Sequence, residues 1–197
     1  MTRRAMIASS ALAVLGVSFL FTLFVILPRR YASESGSASP QAASGETATR
    51  KITAHLFYVT QDGLHLAAVD RDVAYGESTV EQARHIVEAQ LGQAPAPYFS
   101  AIPSGTQLRT VFVSGQGEAF VDLSPEVSSA HPGGSLNELF TVYAIVDALT
   151  ANLPAITAVQ LLVDGREVDT LAGHVDLRRP LQENTRWVGD TPSDNKP

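Results

Sequence analysis

The sequence predicts an α+β fold. We expect one compact domain of order β-β-α-β-β-α-β, with room for an extra edge strand. It is built as a mixed sheet with helices packed on it and is preceded by one transmembrane helix. Three observations lead there. Met6 to Leu27 carries no charge over 22 residues. Two pairs of strand-like runs are each followed by a helical run. Both helical runs open on Ser-x-x-Glu and close on Gly or Pro. Hairpins interleaved with helices point to a mixed sheet carrying those helices.

At about 1.5 Å per residue, the uncharged segment spans roughly 33 Å, enough for a bilayer core of about 30 Å. Residues 1–5 form a short N-terminal flank. The apolar run at 6–27 exceeds the core of a cleaved signal peptide and is followed by Pro28-Arg29-Arg30. An uncleaved anchor is therefore favoured over a cleaved signal. Two arginines stand on each flank (Arg3 and Arg4; Arg29 and Arg30), so the positive-inside rule ties. The free N-terminal amine tips the balance toward a cytoplasmic N-terminus and a body outside the cytoplasm. Residues 28–50 are Ser-, Ala- and Gly-rich and hold few large apolar groups, which predicts a flexible tether.

The body starts with two strands, 52–60 and 64–73, around Asp62-Gly63. A type I′ turn there pairs Phe57 with Ala68, Val59 with Leu66, Leu56 with Val69 and Tyr58 with Ala67. Both faces are then apolar, so part of the hairpin is expected to be covered on both sides. Ser78 to Glu81 reads as a capping box opening a helix that Gly92 ends near Leu91. Its apolar stripe is Val80, Ala83, Val87 and Leu91, with Glu81, Arg84, His85 and Glu88 largely off it. A Pro-rich loop from Gln93 to Thr106 leads to a second hairpin, Leu108–Val113 and Glu118–Leu123, closed by Ser114 to Gly117. Ser135 to Glu138 repeats the capping signature after Gly133-Gly134. The helix from about Leu136 to Leu153 is apolar nearly all round and should be the buried central helix; Pro154 stops it. Val159–Val163 is a strand, Asp164-Gly165 a turn, and Glu167 to Leu171 a candidate short returning strand. Gly173 to Leu177 closes the domain. The domain is placed at 51–180, with a partly disordered C-terminal tail at 181–197.

The formal charge of -6 is uneven. Residues 1–50 hold five arginines against Glu34 and Glu46, while residues 51–197 hold nine basic and eighteen acidic side chains. An acidic body repels phosphate backbones, so nucleic acid is not an expected partner. The chain contains no Cys, which excludes disulfides, thiolate catalysis, Cys-type zinc sites and a lipid-modified Cys anchor.

Four pieces, in order, carry a resemblance: Ile102 to Thr106, Val121-Asp122-Leu123-Ser124, Ala148-Leu149-Thr150 ending the central helix, and Val159 to Gly165. Over about residues 52–180 the chain resembles the GerMN domain of spore-formation and germination proteins. The resemblance implies a non-catalytic module of the bacterial envelope, tied to assembly of membrane-associated complexes. The chain departs from lipid-anchored members, having an apolar N-terminal segment in place of the Cys, and from tandem members, holding one copy.

No residue pattern supplies catalytic, cofactor-binding or metal-binding residues, and the binding residues are unknown at this stage. His55, His65, His85, His131 and His174 lack metal-ligand spacing; His55 is expected to sit across the hairpin from Asp70 as a solvated pair. Ser124, His131 and Asp147 can be named as a triad, yet no nucleophile elbow accompanies them. Gly115-x-Gly117 joins two strands and reads as a turn. At Gly133-Gly134-Ser135, capping is expected to use the helix donors in place of an anion. Asp122-Leu123-Ser124 reads as a strand terminator in preference to a contact site.

The leading expectation is a non-enzymatic envelope scaffold or interaction module, without a cofactor. It is anchored in the cytoplasmic (inner) membrane through residues 6–27, with an envelope protein partner docking on an exposed sheet edge. The alternative is a binding module for a small envelope ligand, a glycan or lipid fragment, for which the 93–106 loop with Tyr98 and Phe99 is the aromatic-bearing candidate.

Overall fold

The computed structural model describes residues 50–189. The predicted membrane segment at 6–27 and the tether before residue 50 lie outside the described residues, as do residues 190–197. Among the described residues, no helix is long and apolar enough to cross a membrane.

Strands β1 (Lys51–Val59) and β2 (Leu66–Ala74) pair antiparallel in the predicted register, Phe57 opposite Ala68 and Tyr58 opposite Ala67. Burial on both sides is confined to the turn end. Ala54, Leu56 and Tyr58 are buried on one face; Phe57 and Leu66 are buried on the other, which opens to solvent at His55, Asp70 and Asp72. The connection corrects the predicted type I′ turn. Thr60 N donates to His65 O at 3.0 Å and Gly63 N to Thr60 O at 3.0 Å, so the loop has four residues. Gly63 alone takes positive φ, 72°. Asp62 stays in ordinary backbone because its carboxylate accepts from Leu64 N (3.0 Å) and Thr60 Oγ1 (2.5 Å), a local bond that competes with the tight turn.

Helix α1 (Thr79–Leu91) begins where expected: the Ser78 hydroxyl accepts from Glu81 N at 3.1 Å. The Glu81 carboxylate reaches one residue further back, to Glu77 N at 2.8 Å. Its buried face is Gln82, Ala83, Ile86, Val87 and Gln90, while Val80 is 40% exposed, so the predicted stripe is displaced. The displacement follows from the two glutamines, whose amides saturate strand backbone inside the fold.

The remaining strands form a second sheet, not a continuation of the first. Here β3 (Leu108–Val113) and β4 (Glu118–Leu123) are antiparallel, β4 and β5 (Ala158–Val163) parallel, and β5 and β6 (Arg166–Glu167) antiparallel. The single mixed sheet expected is thus a two-stranded and a four-stranded sheet. The returning strand is only two residues long. Asp164 (φ 53°) and Gly165 (φ 74°) form the tight left-handed turn joining β5 to β6, as Asp-Gly favours.

A one-turn helix, α2 (Glu126–Ser129), precedes the central helix α3 (Ser135–Asn152). Phe140, Val142, Ile145, Val146 and Leu149 of α3 are buried in one core with Leu56, Tyr58, Ile86, Val121 and Leu161. Each large apolar side chain buried there contributes about 1.5–3 kcal/mol. Helix α3 does not start with the predicted capping box. Gly134, at φ 88°, is the cap residue, and no side chain caps the helix. Glu138 is instead fully buried and holds the 171–174 loop. Its carboxylate accepts from Leu171 N (2.7 Å), Ala172 N (2.9 Å) and His174 N (2.8 Å), and pairs with His174 Nδ1 at 3.1 Å.

Packing continues past the predicted boundary at 180. Leu181 exchanges two backbone bonds of 2.8 Å with Val159, a 3₁₀ turn covers Thr185–Trp187, and Gly189 N donates to Leu66 O at 2.9 Å. The described part of the expected tail is therefore a closing segment of the domain.

Candidate functional site

The two edges of the β1–β2 hairpin are treated differently. On β1, His55 N and O are bonded by the Asn152 amide at 2.9 and 2.7 Å, and Phe57 N and O by the Gln90 amide at 2.8 and 2.7 Å. Val59 N and O are bonded by Phe99 backbone at 2.9 and 3.0 Å. Two helix C-termini and one loop thus act as a surrogate strand. On β2, Leu66 O is taken by Gly189, and Ala74 O by the Gln82 amide at 3.1 Å. The outward backbone groups of Ala68, Asp70 and Asp72 have no partner among the described residues.

At the turn end of this hairpin lies an open groove of about 740 Å³. Thr60, Gln61, Asp62 and His65 of the β1–β2 loop form one side; Pro97 and Tyr98 form the second. Arg186, Val188 and Gly189 of the closing segment form the third. Each side is held in place. Pairing of Phe99 with Val59 fixes Tyr98 beside β1. Asn184 caps the 3₁₀ turn that carries Arg186, and Asn184 N donates to the buried Asp147 Oδ1 at 2.9 Å. A Cβ on Gly189 would meet His65 Cβ at 3.1 Å, so the closing segment passes where a side chain hardly fits. Tyr98 also borders a second hollow of about 450 Å³ with His55, Ala68, Val69 and Asp70. The two hollows therefore share an aromatic wall. Leu64 and Phe99, 58% and 59% exposed, stand at the same end of the hairpin.

The groove mixes polar and apolar lining and holds both an acidic and a basic side chain. Hydrogen bonds from the Thr60 hydroxyl and Leu64 N hold the Asp62 carboxyl below its ordinary range, so it is anionic at neutral pH. Arg186 supplies the opposing cation. In the neighbouring hollow His55 Nδ1 lies 2.6 Å from Asp70 Oδ1, the solvated cross-strand pair expected from the sequence.

The other residues singled out in the sequence serve the scaffold. Asp122, nearly buried, accepts from Gly165 N at 2.7 Å and from Arg109 Nε at 3.0 Å, and Arg109 also pairs with Asp164. A β-bulge at Arg109 sets two residues against Asp122 and aims the guanidinium there. The Val-Asp-Leu-Ser and Val-Asp-Gly pieces are thus two halves of one clasp. Ser124 Oγ accepts from Gln107 N; His131 bonds Thr141 Oγ1 and Gly133 N; Asp147 bonds Asn184 N. The three residues nameable as a triad are each engaged elsewhere. Burial pushes the Asp147 carboxyl up to about 6 against the Asn184 bond, while Glu183 adds to the rise. For Glu138, burial alone would raise its pKa, but the three backbone donors and His174 outweigh it and hold the carboxyl below its usual value. Among the described residues, no group of three or more His, Asp or Glu is arranged to hold a metal ion. The closing segment's share of the groove is missed in the sequence; its signal is the apolar residues Leu181, Trp187 and Val188, which pack on the core.

The fold is found in known structures. The first GerMN domain of the sporulation protein GerM from Bacillus subtilis superposes with a TM-score of 0.52 at 19% identity, covering 66% of this chain and 97% of that one. The tandem GerMN domains of the same protein give 0.51 at 18% identity, covering 68% of this chain; the match spans 46% of that longer chain. A candidate lipoprotein from Clostridium perfringens gives 0.48 at 21% identity, with 68% and 89% covered. No curated protein matches significantly. The model of the Germane family, described as sporulation and spore germination, matches residues 55–169, and the chain therefore belongs to that family as a single GerMN (Germane) domain.

Proposed function

We propose that this chain is a non-enzymatic, membrane-tethered envelope domain that docks a protein partner during assembly of a membrane-associated complex. Residues 6–27 anchor it in the bacterial cytoplasmic membrane and the domain stands on the extracytoplasmic side. The observation that carries this reading is the turn end of the β1–β2 hairpin, where Leu64 in the loop and Phe99 on the β1 edge stay exposed. Exposed large apolar groups at one end of a domain are the pattern of a contact surface. Family membership supports a setting in spore formation or a related envelope process. Glu138 and Gln90, two of the polar side chains fully buried in the core, are spent on backbone.

The test is a crosslinking pull-down from intact cells, with the full chain and with a version starting at Lys51. Recovery of the same envelope proteins by both supports docking through the domain. Recovery by the full chain alone assigns specificity to the membrane segment and contradicts the reading.

A second reading, a binding module for a small envelope ligand, is favoured by one specific feature: the groove beside Tyr98 is of a size suited to a small molecule, about 300–1,000 Å³.

A further inference from the structure

We infer that the paired hollows on either side of Tyr98 form a binding cleft for a neutral saccharide chain; this rests on the small-ligand reading above. Three properties of the cleft select that ligand class. First, Tyr98 lines both hollows. An aromatic residue can stack on the C–H side of a pyranose, and apolar Pro97 and Val188 also line the larger groove. Second, the β1–β2 loop and the closing segment present planar hydrogen-bonding groups: the Asp62 carboxylate, the Gln61 amide, the His65 imidazole and the Arg186 guanidinium. Vicinal hydroxyls, each both donor and acceptor, match such a mixed set better than an acceptor-only or donor-only ligand does. Third, the cleft carries both basic and acidic side chains. Arg186 and Asp62 flank the larger hollow, while His55 and Asp70 flank the smaller one. A polyanion would meet both Asp62 and Asp70, and a polycation would meet Arg186; an uncharged chain meets neither penalty.

The cleft is open and the two hollows adjoin through one residue, so the occupant spans them as successive rings instead of filling one cavity. Tyr98 is the ring platform and Arg186 a positioning donor. Arg186, Val188 and Gly189 lie beyond the family-matched residues 55–169, so this part of the cleft belongs to the chain's own closing segment.

The test uses the full chain in detergent. Trp187, the only tryptophan, follows Arg186 directly and reports binding by fluorescence, with calorimetry as the second readout. The probes are cellotetraose and chitotetraose (neutral), the corresponding disaccharides, and a hyaluronan tetrasaccharide (anionic). The expected result is binding of a neutral tetrasaccharide at least tenfold tighter than of its disaccharide. Tyr98→Leu keeps apolar packing but removes the ring, and should weaken that binding at least tenfold. The exposed changes Arg186→Gln and Gln61→Ala should weaken it severalfold with melting unchanged. Preference for the anionic chain overturns the inference while leaving a small-ligand site in place. Absence of binding by every probe up to about 10 mM, tenfold above a weak Kd of about 1 mM, overturns both. Saccharide binding that is unaffected by all three substitutions places the ligand elsewhere and also overturns it. A strand-forming peptide that competes the saccharide away and protects the Ala68–Asp72 amides would show a peptide cleft instead.

Discussion

Asp147→Asn changes one atom of a fully buried side chain and is expected to change the pH dependence of stability. Asp147 Oδ1 accepts from Asn184 N at 2.9 Å, while Oδ2 has no partner among the described residues. Burial raises the folded carboxyl to about 6 from 3.8. The folded state therefore holds the proton more tightly than the unfolded chain. The stabilisation is fully present below about pH 4, declines as pH rises, and is gone above about pH 6. The gap corresponds to at most about 3 kcal/mol, at 1.36 kcal/mol per pH unit. Asn is neutral throughout and keeps the Oδ1 acceptor. Its amide introduces N–H donors that can forfeit about 1–3 kcal/mol if unpaired, so the absolute stability of the variant is the weaker readout. The slope is the stronger one. Chemical unfolding at pH 4.0, 5.0, 6.0 and 7.5 should give a wild-type minus variant difference that shifts in the variant's favour by up to about 3 kcal/mol between pH 4 and 7. Carboxyls held low by hydrogen bonds, such as Asp62 and Glu138, titrate with the opposite sign but identically in both proteins. A pH-independent difference would refute the reasoning, because it would mean that Asp147 does not titrate differently on folding.

Other substitutions probe the scaffold. Gln90→Ala orphans both backbone groups of Phe57 inside the core and should cost about 2–4 kcal/mol, whereas Asn152→Ala frees exposed His55 and should cost less; urea unfolding compares them. Glu138→Gln removes one of two anionic acceptors and should cost about 2–4 kcal/mol. It should also speed hydrogen exchange at Leu171, Ala172 and His174; unchanged exchange there would count against the loop anchor. Gly165→Ala forces a side chain to φ 74° and should cost about 1 kcal/mol, read as a lowered melting temperature.

Much of the fold was legible because it rests on local chemistry. The hairpin register follows from centring the turn on Asp62-Gly63, a centre the wider loop keeps, and the Ser78 cap, the apolar α3 and the Asp164-Gly165 turn each carry a short-range signal. The misreadings share a different cause. Ser135-Leu-Asn-Glu138 has the letters of a capping box, but Glu138 is drawn inward by three backbone donors more than thirty residues away. Gln82 and Gln90 carry no sequence sign of the backbone groups they saturate. Asp62-Gly63 has the letters of a tight turn, yet the Asp62 carboxylate closes a wider loop. Long-range polar bonds leave no periodicity in the sequence. The groove was half visible: Tyr98 stood out as an aromatic in a Pro-rich loop, but Arg186 was assigned to the tail, and only its bridge to Leu66 through Val188 and Gly189 brings it there.

Docking at the turn end of the hairpin is tested most directly by site-specific photocrosslinking in living cells. A photoreactive residue replaces Leu64 or Phe99 in the full chain, and in parallel replaces Val80 or Phe112, which are exposed elsewhere on the domain. Our account predicts a discrete adduct with one envelope protein from positions 64 and 99 and none from 80 and 112. Adducts from 80 or 112 with none from 64 and 99 would contradict it, as would no adduct from any position.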